Sequence, residues 1–203
     1  VGAGMTKFGK FLDRSMKSIA AEAVRGALES AGIDKSKLEV AVVGNATAGL
    51  ITGQEMIRGQ VALRDMGIGG IPIINTENAC ASSSTAFHVA WMYVASGMYD
   101  VALAVGMEKL YHEDKRRSFQ AIGSAVDVEW VQSMQAAMKA SQASEAAKHG
   151  ETPAPEEGAG EKRSMFMDFY AAFARQHMAK YGTTKEQFAR IAVKNHFHGS
   201  LNP

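Results

Sequence analysis

The chain has 203 residues, 46% of them apolar and 21% charged, with a formal net charge of +1. That length can bury a substantial core in one large or two small domains, and the near-neutral charge gives no electrostatic case for a nucleic-acid or anionic-membrane partner. A single cysteine excludes an intrachain disulfide framework, fits a reducing compartment and cannot build a thiolate metal site by itself, so no metal is expected.

Val1 to Gly9 is a short apolar opening broken by glycines and reads as a strand running into a loop. No secretory signal is visible, and the chain starts on Val1 rather than Met, which leaves room for a targeting segment before it. From Ser15 to Ala31 the residues Met16, Ile19, Ala20, Ala23, Val24, Ala27, Leu28 and Ala31 keep one helical face apolar. Ser15 is the expected N-cap, and Gly32 follows as the stop. Val40 to Gly44 is short, β-branched and apolar on both faces, which predicts a buried strand. Gln54 to Met66 reads as a second helix closed by Gly67-Ile68-Gly69-Gly70. Because that glycine cluster follows a helix rather than a strand, it is no dinucleotide fingerprint. Ile71 to Asn75 reads as another buried strand, Ser82 to Ser96 as a third helix, and Asp100 to Gly106 as a continuous apolar strand.

The expected order to Gly106 is β-α-β-α-β-α-β. Such alternation predicts an α/β fold, a mostly parallel sheet with helices on both faces, whose ligands collect at the carboxyl ends of strands. After Glu108 the strand pattern stops. Residues 127 to 149 are helix-prone, 149 to 162 read as a Pro-, Gly- and Glu-rich loop, and Ser164 to Tyr181 and Lys185 to Phe197 read as helices. The domain reading is therefore 1–108 for the β/α part and 109–203 for a mostly helical insertion. No apolar run approaches the roughly 20 residues that span a bilayer.

Cys80 lies in the loop after the Ile71 to Asn75 strand and just ahead of the helix from Ser82. Unpaired N–H groups and the positive dipole end of that helix would face the sulfur, a setting that suits an anionic nucleophile. The small residues Ala79, Ala81, Ser82 and Ser83 leave room for a substrate. The bland alternative is a small buried hydrophobe, as free cysteines often are.

The stretch "NTENACASSSTAFHVAWMYVASGMYDVALAVGMEKL" resembles the nucleophile segment of thiolases, with Cys-Ala-Ser, a small-residue helix and a strand ending in Gly-Met-Glu. The opening "VGAGMTKFGK" and the closing "MAKYGTTKEQFARIAVKNHFHGSLNP" look more specifically like the sterol-carrier-protein branch of that family. Residues 112 to 163 match least. The resemblance implies a thiolase-like arrangement of β/α layers with a helical loop domain inserted after the strand at Asp100 to Gly106. It also implies acyl-CoA chemistry with Cys80 as the nucleophile, cleaving a 3-ketoacyl-CoA with coenzyme A or running the reverse condensation. Coenzyme A and acyl-CoA are then substrates, and no permanently bound cofactor is expected. Two alternatives stay open: a thiolase-fold lyase performing a retro-aldol cleavage of a steroid or branched acyl-CoA, and a non-catalytic acyl-CoA-binding subunit.

The family also uses an activating histidine, oxyanion-hole groups and a second cysteine from a second β/α half, whereas this chain has one cysteine and no Gly-His-Pro. Among its six histidines, His88 reads as structural, His196 and His198 as capping or solvated, and His112, His149 and His177 as solvated. The expectation is that this half is completed by further sequence or a partner subunit. A homodimer, and a cytoplasmic location (peroxisomal in a eukaryote), are also implied by the resemblance.

Overall fold

The computed structural model describes residues 1–149 and 165–202. It falls into two compact units, Val1–Val128 and Glu129–Pro203. The composition changes after Glu108, but the first unit continues through a further helix. Ala121 of that helix is fully buried, and Arg117 donates to the carbonyl of Ile51 at 3.2 Å.

The first unit runs α1 (Met16–Ala31), a short 3-10 turn (Lys35–Lys37), β1 (Val40–Gly44), α2 (Ala48–Thr52), α3 (Arg58–Arg64), β2 (Ile73–Thr76), α4 (Ser82–Ala95), β3 (Ala102–Gly106) and α5 (Lys115–Gly123). The strands form a parallel sheet in the order β2-β1-β3, with Val42 of β1 level with Ile74 and Ala104. Every residue of β1 is buried, because this strand is central and covered on both faces. Ala41 and Val43 join a core with Val24 of α1, Leu63 of α3, and Leu103 and Val105 of β3. Val42 points the other way, onto Ala86 and Ala90 of α4. The sheet is therefore sandwiched between helices, and the expected α/β architecture is the one observed.

Local chemistry sets several boundaries. The Ser15 hydroxyl accepts from the Ser18 amide to start α1, and Gly32 ends it at φ 66°. Three expectations are corrected. Residues 1–9 form no strand. Instead, the side-chain-free backbone at Gly2 and Gly4 lies directly on α1 at Ala23, Ala27 and Ala31, leaving no room for a Cβ. The helix expected from Gln54 to Met66 shrinks to α3, Arg58–Arg64, and a separate short helix, α2, precedes it at Ala48–Thr52. Gly53 at φ 83° ends the first and Ile57 at φ 48° precedes the second, and both left-handed residues break the helical hydrogen-bond run. Finally, β2 is half-buried rather than buried, since it pairs only with β1 among the described residues.

The second unit contains α6 (Val128–His149, beginning at the junction), α7 (Met165–Tyr181) and α8 (Lys185–Ser200). Beyond His149, the expected loop to residue 162 lies outside the described residues. Gly182 takes φ 70° after α7. Thr184 then caps α8 through a reciprocal capping box with Gln187. This helix extends to Ser200, so His196 and His198 lie within it and are exposed.

Candidate active site

The site is built where β1, β2 and β3 end. Gly44 closes β1 and Gly106 closes β3, and both face the first turn of α4. A Cβ on Gly44 would lie 2.6 Å from the carbonyl oxygen of Ser82 and 2.8 Å from the Cα of Ser83. A Cβ on Gly106 would collide with the Ser83 side chain. The two glycines thus allow the start of α4 to sit directly on the strand ends. Ala86 and Ala90, also small, seat the next two turns, while Phe87, Trp91, Met92 and Val94 on α4 are exposed.

Cys80 lies between β2 and this seated helix, and it is exposed. Within this chain it is therefore not a buried filler residue. The residue before it, Ala79, has φ 45°, a conformation that costs a non-glycine residue about 1–2 kcal/mol. Both polar backbone groups of Ala79 are held by side chains. Its N–H donates to Glu77 Oε1 at 2.6 Å, and its carbonyl accepts from Ser82 Oγ at 2.7 Å. Ser82 is 4% exposed, and its Oγ also accepts from the Asn78 amide at 2.9 Å. Thr76 Oγ1 donates to the Ser82 carbonyl at 3.1 Å, and Asn78 Nδ2 to Thr85 Oγ1 at 3.1 Å. The five-residue path from Thr76 to Cys80 is consequently held by hydrogen bonds at Thr76, Asn78 and Ala79 and through the Glu77 side chain. Helix α4 itself has no side-chain N-cap, so its first N–H groups are not claimed by a capping side chain.

A second polar cluster braces the same strand ends. Asn45, 4% exposed, follows β1. Its Nδ2 donates to the Met107 carbonyl at 2.7 Å and to Glu108 Oε1 at 3.2 Å, while its Oδ1 accepts from Arg58 at 2.5 Å. Glu108 Oε2 accepts from the amides of Ala46 and Thr47 at 3.1 and 3.0 Å. On β2, Asn75 Oδ1 accepts from the Gly59 amide at 2.6 Å, tying the strand to the start of α3. Sequence reasoning found Cys80 but missed Glu77, Ser82, Asn45 and Glu108. Only the polarity of "NTENACASSS" and the Glu of Gly-Met-Glu hinted at them.

The histidines do not converge on the thiol. His88 is exposed on α4 and stacks on Trp91 with centroids 6.0 Å apart. His112, expected to be solvated, is half-buried and faces the Asp114 amide and Arg117 Nη1, both at 3.0 Å. Neither makes a hydrogen bond to Cys80. In the second unit His177 contacts Thr183 Oγ1 at 2.9 Å. Among the described residues, no group of three or more His, Cys, Asp or Glu side chains is gathered as a metal site would require. No described helix is long and apolar enough to cross a membrane.

A parallel sheet with helices on both faces, and a thiol at a strand end against a closely seated helix, define the class of fold. The particular family follows from comparison: the profile of the thiolase N-terminal domain matches residues 1–203, so the chain belongs to the thiolase family. It is 36% identical over its full length to an acetyl-CoA acetyltransferase of Methanothermobacter thermautotrophicus, covering 45% of that protein. It is 34% identical to sterol carrier protein 2 of Gallus gallus, covering 33% of it. It is 32% identical to the benzoylsuccinyl-CoA thiolase subunit BbsB of Thauera aromatica, covering 43%. The chain thus matches less than half of each of these relatives.

Proposed function

We propose that this chain is the nucleophile-bearing half of a thiolase-type acyl-CoA acyltransferase, with Cys80 as the nucleophile. The observation that carries the proposal is an exposed thiol at the β2–α4 junction in a chain that matches the thiolase N-terminal domain throughout. In cleavage, the Cys80 sulfur attacks the keto carbon of a 3-ketoacyl-CoA. The carbon–carbon bond breaks, an acyl thioester forms on Cys80, and the released carbanion takes a proton to leave as acetyl-CoA. The thiol of coenzyme A then attacks that thioester, takes the acyl group and returns the proton to the enzyme. Condensation is the reverse.

The proton transfers need an acid and a base. None of the chain's histidines is bonded to Cys80 among the described residues, so the base is assigned to the remaining thiolase half, whether in continuous sequence or in a partner subunit. The names of the relatives support coenzyme A esters as the substrate class. A homodimer and a cytoplasmic or peroxisomal location belong to the same proposal.

The test is mass spectrometry of the completed enzyme after incubation with a 3-ketoacyl-CoA. An acyl mass on the peptide carrying Cys80, and loss of thiolysis in Cys80→Ser, are expected. Substrate cleavage that leaves Cys80 unmodified overturns acyl transfer and favours the lyase alternative. Binding without turnover favours the non-catalytic one.

A further inference from the structure

We infer that Glu77 and Ser82 act as a two-sided clamp on Ala79, holding it in the left-handed conformation that aims Cys80, and are thus positioning residues of the reaction. The inference rests on Cys80 being the nucleophile proposed above. A non-glycine residue leaves the left-handed region readily unless its surroundings hold it there. Ala79 adjoins the thiol, so its φ of 45° directly sets the direction in which Cys80 leaves the strand end.

Both handles on Ala79 are accounted for. The Glu77 carboxylate accepts its N–H from the solvent side, and the buried Ser82 hydroxyl donates to its carbonyl from the helix side. Ser82 has a second duty in the same turn. Its Oγ accepts from the Asn78 amide, so one hydroxyl grips two successive peptide units of the loop. The hydroxyl in turn belongs to the first residue of α4, whose carbonyl is held by Thr76 and whose backbone rests on Gly44. Clamp and sheet are therefore one rigid assembly. A helix-capping role alone does not account for this pattern, because both bonds of the Ser82 hydroxyl run to the loop rather than to free amides inside α4, the donated one sharing the Ala79 carbonyl with the Ser82 amide at 3.2 Å.

The test measures thiolysis kinetics and the rate of Cys80 alkylation by iodoacetamide in the completed enzyme. Ser82→Ala is expected to lower kcat by about ten- to a hundredfold, the cost of a small misplacement of a reacting group, with KM within about twofold. The alkylation rate should fall with kcat. Glu77 is exposed, so Glu77→Ala loosens the clamp without opening the core, and it should move both rates in the same direction. Adding Ala79→Gly to Ser82→Ala supplies the left-handed conformation without a clamp. It should recover about fivefold or more of the lost kcat, the factor set by the left-handed penalty of a non-glycine residue. Unchanged kcat in both single variants, or no recovery on adding Ala79→Gly, overturns the clamp. If Cys80→Ala abolishes turnover while Ser82→Ala and Glu77→Ala match the parent, the clamp alone fails. If Cys80→Ala keeps full turnover, the nucleophile assignment falls and takes the clamp with it.

Discussion

Gly44→Ala tests whether the seating of α4 on the strand ends is as tight as the geometry indicates. The new Cβ would stand 2.6 Å from the Ser82 carbonyl oxygen, 2.7 Å from its carbon and 2.8 Å from the Cα of Ser83, whereas ordinary contact begins at 3.4 Å. The three atoms are backbone, so no side chain can rotate aside. The first turn of α4 must retreat by 0.8 Å to restore the shortest contact, the difference between 3.4 and 2.6 Å. Overpacking of this kind costs about 1–3 kcal/mol. For a protein of this size that corresponds to a fall in Tm of roughly 2–12 °C at about 2–4 °C per kcal/mol. The same retreat pulls the Ser82 hydroxyl away from Ala79, so Cys80 should alkylate more slowly even where the fold survives. Thermal denaturation by circular dichroism and iodoacetamide kinetics on the complete protein measure the two effects. A Gly44→Ala variant with unchanged Tm and unchanged alkylation rate would refute the close seating of α4.

Three further outcomes are expected. Asn45→Ala leaves the Met107 carbonyl and Arg58 without their buried partner, and should cost about 1–3 kcal/mol by urea denaturation with an unchanged m-value. Thr184→Ala removes the cap of α8 and should destabilise that helix by about 0.5–2 kcal/mol, read as faster hydrogen exchange at the Gln187 amide. Asp114 caps α5, and hydrogen bonds from the Arg116 side chain and then its backbone N–H hold the Asp114 carboxyl below its ordinary value. Its folded pKa is lowered, so its contribution is complete above the unfolded value of about 3.9 and is lost as pH falls through the folded one. The protection of the Arg116 amide, corrected for the intrinsic pH dependence of exchange, should fall across that acidic window in the parent chain and show no such step in Asp114→Ala.

The sequence by itself determined those features whose causes are local. Ser15 and Gly32 bound α1 because a cap hydroxyl and a left-handed glycine act within a few residues of the helix ends they set. Val40 to Gly44 announced itself as a buried strand because a run apolar on both faces has no stable place except between two layers. Cys80 was legible as a site candidate because a strand, a polar turn and a small-residue helix follow one another in the sequence. The tertiary structure decided the rest, since the deciding contacts join residues far apart in the chain. Gly2 and Gly4 read as strand but lie on α1, because their missing side chains fit against Ala23, Ala27 and Ala31, far along the chain. Gly44 and Gly106 look like strand ends of no consequence until α4 is seen resting on both. Asn45 and Glu108 are ordinary polar residues in the sequence and become one brace only when β1 and β3 lie side by side. The thiol's identity was written locally, but its direction depends on Ser82 being buried in a helix that the sheet holds in place.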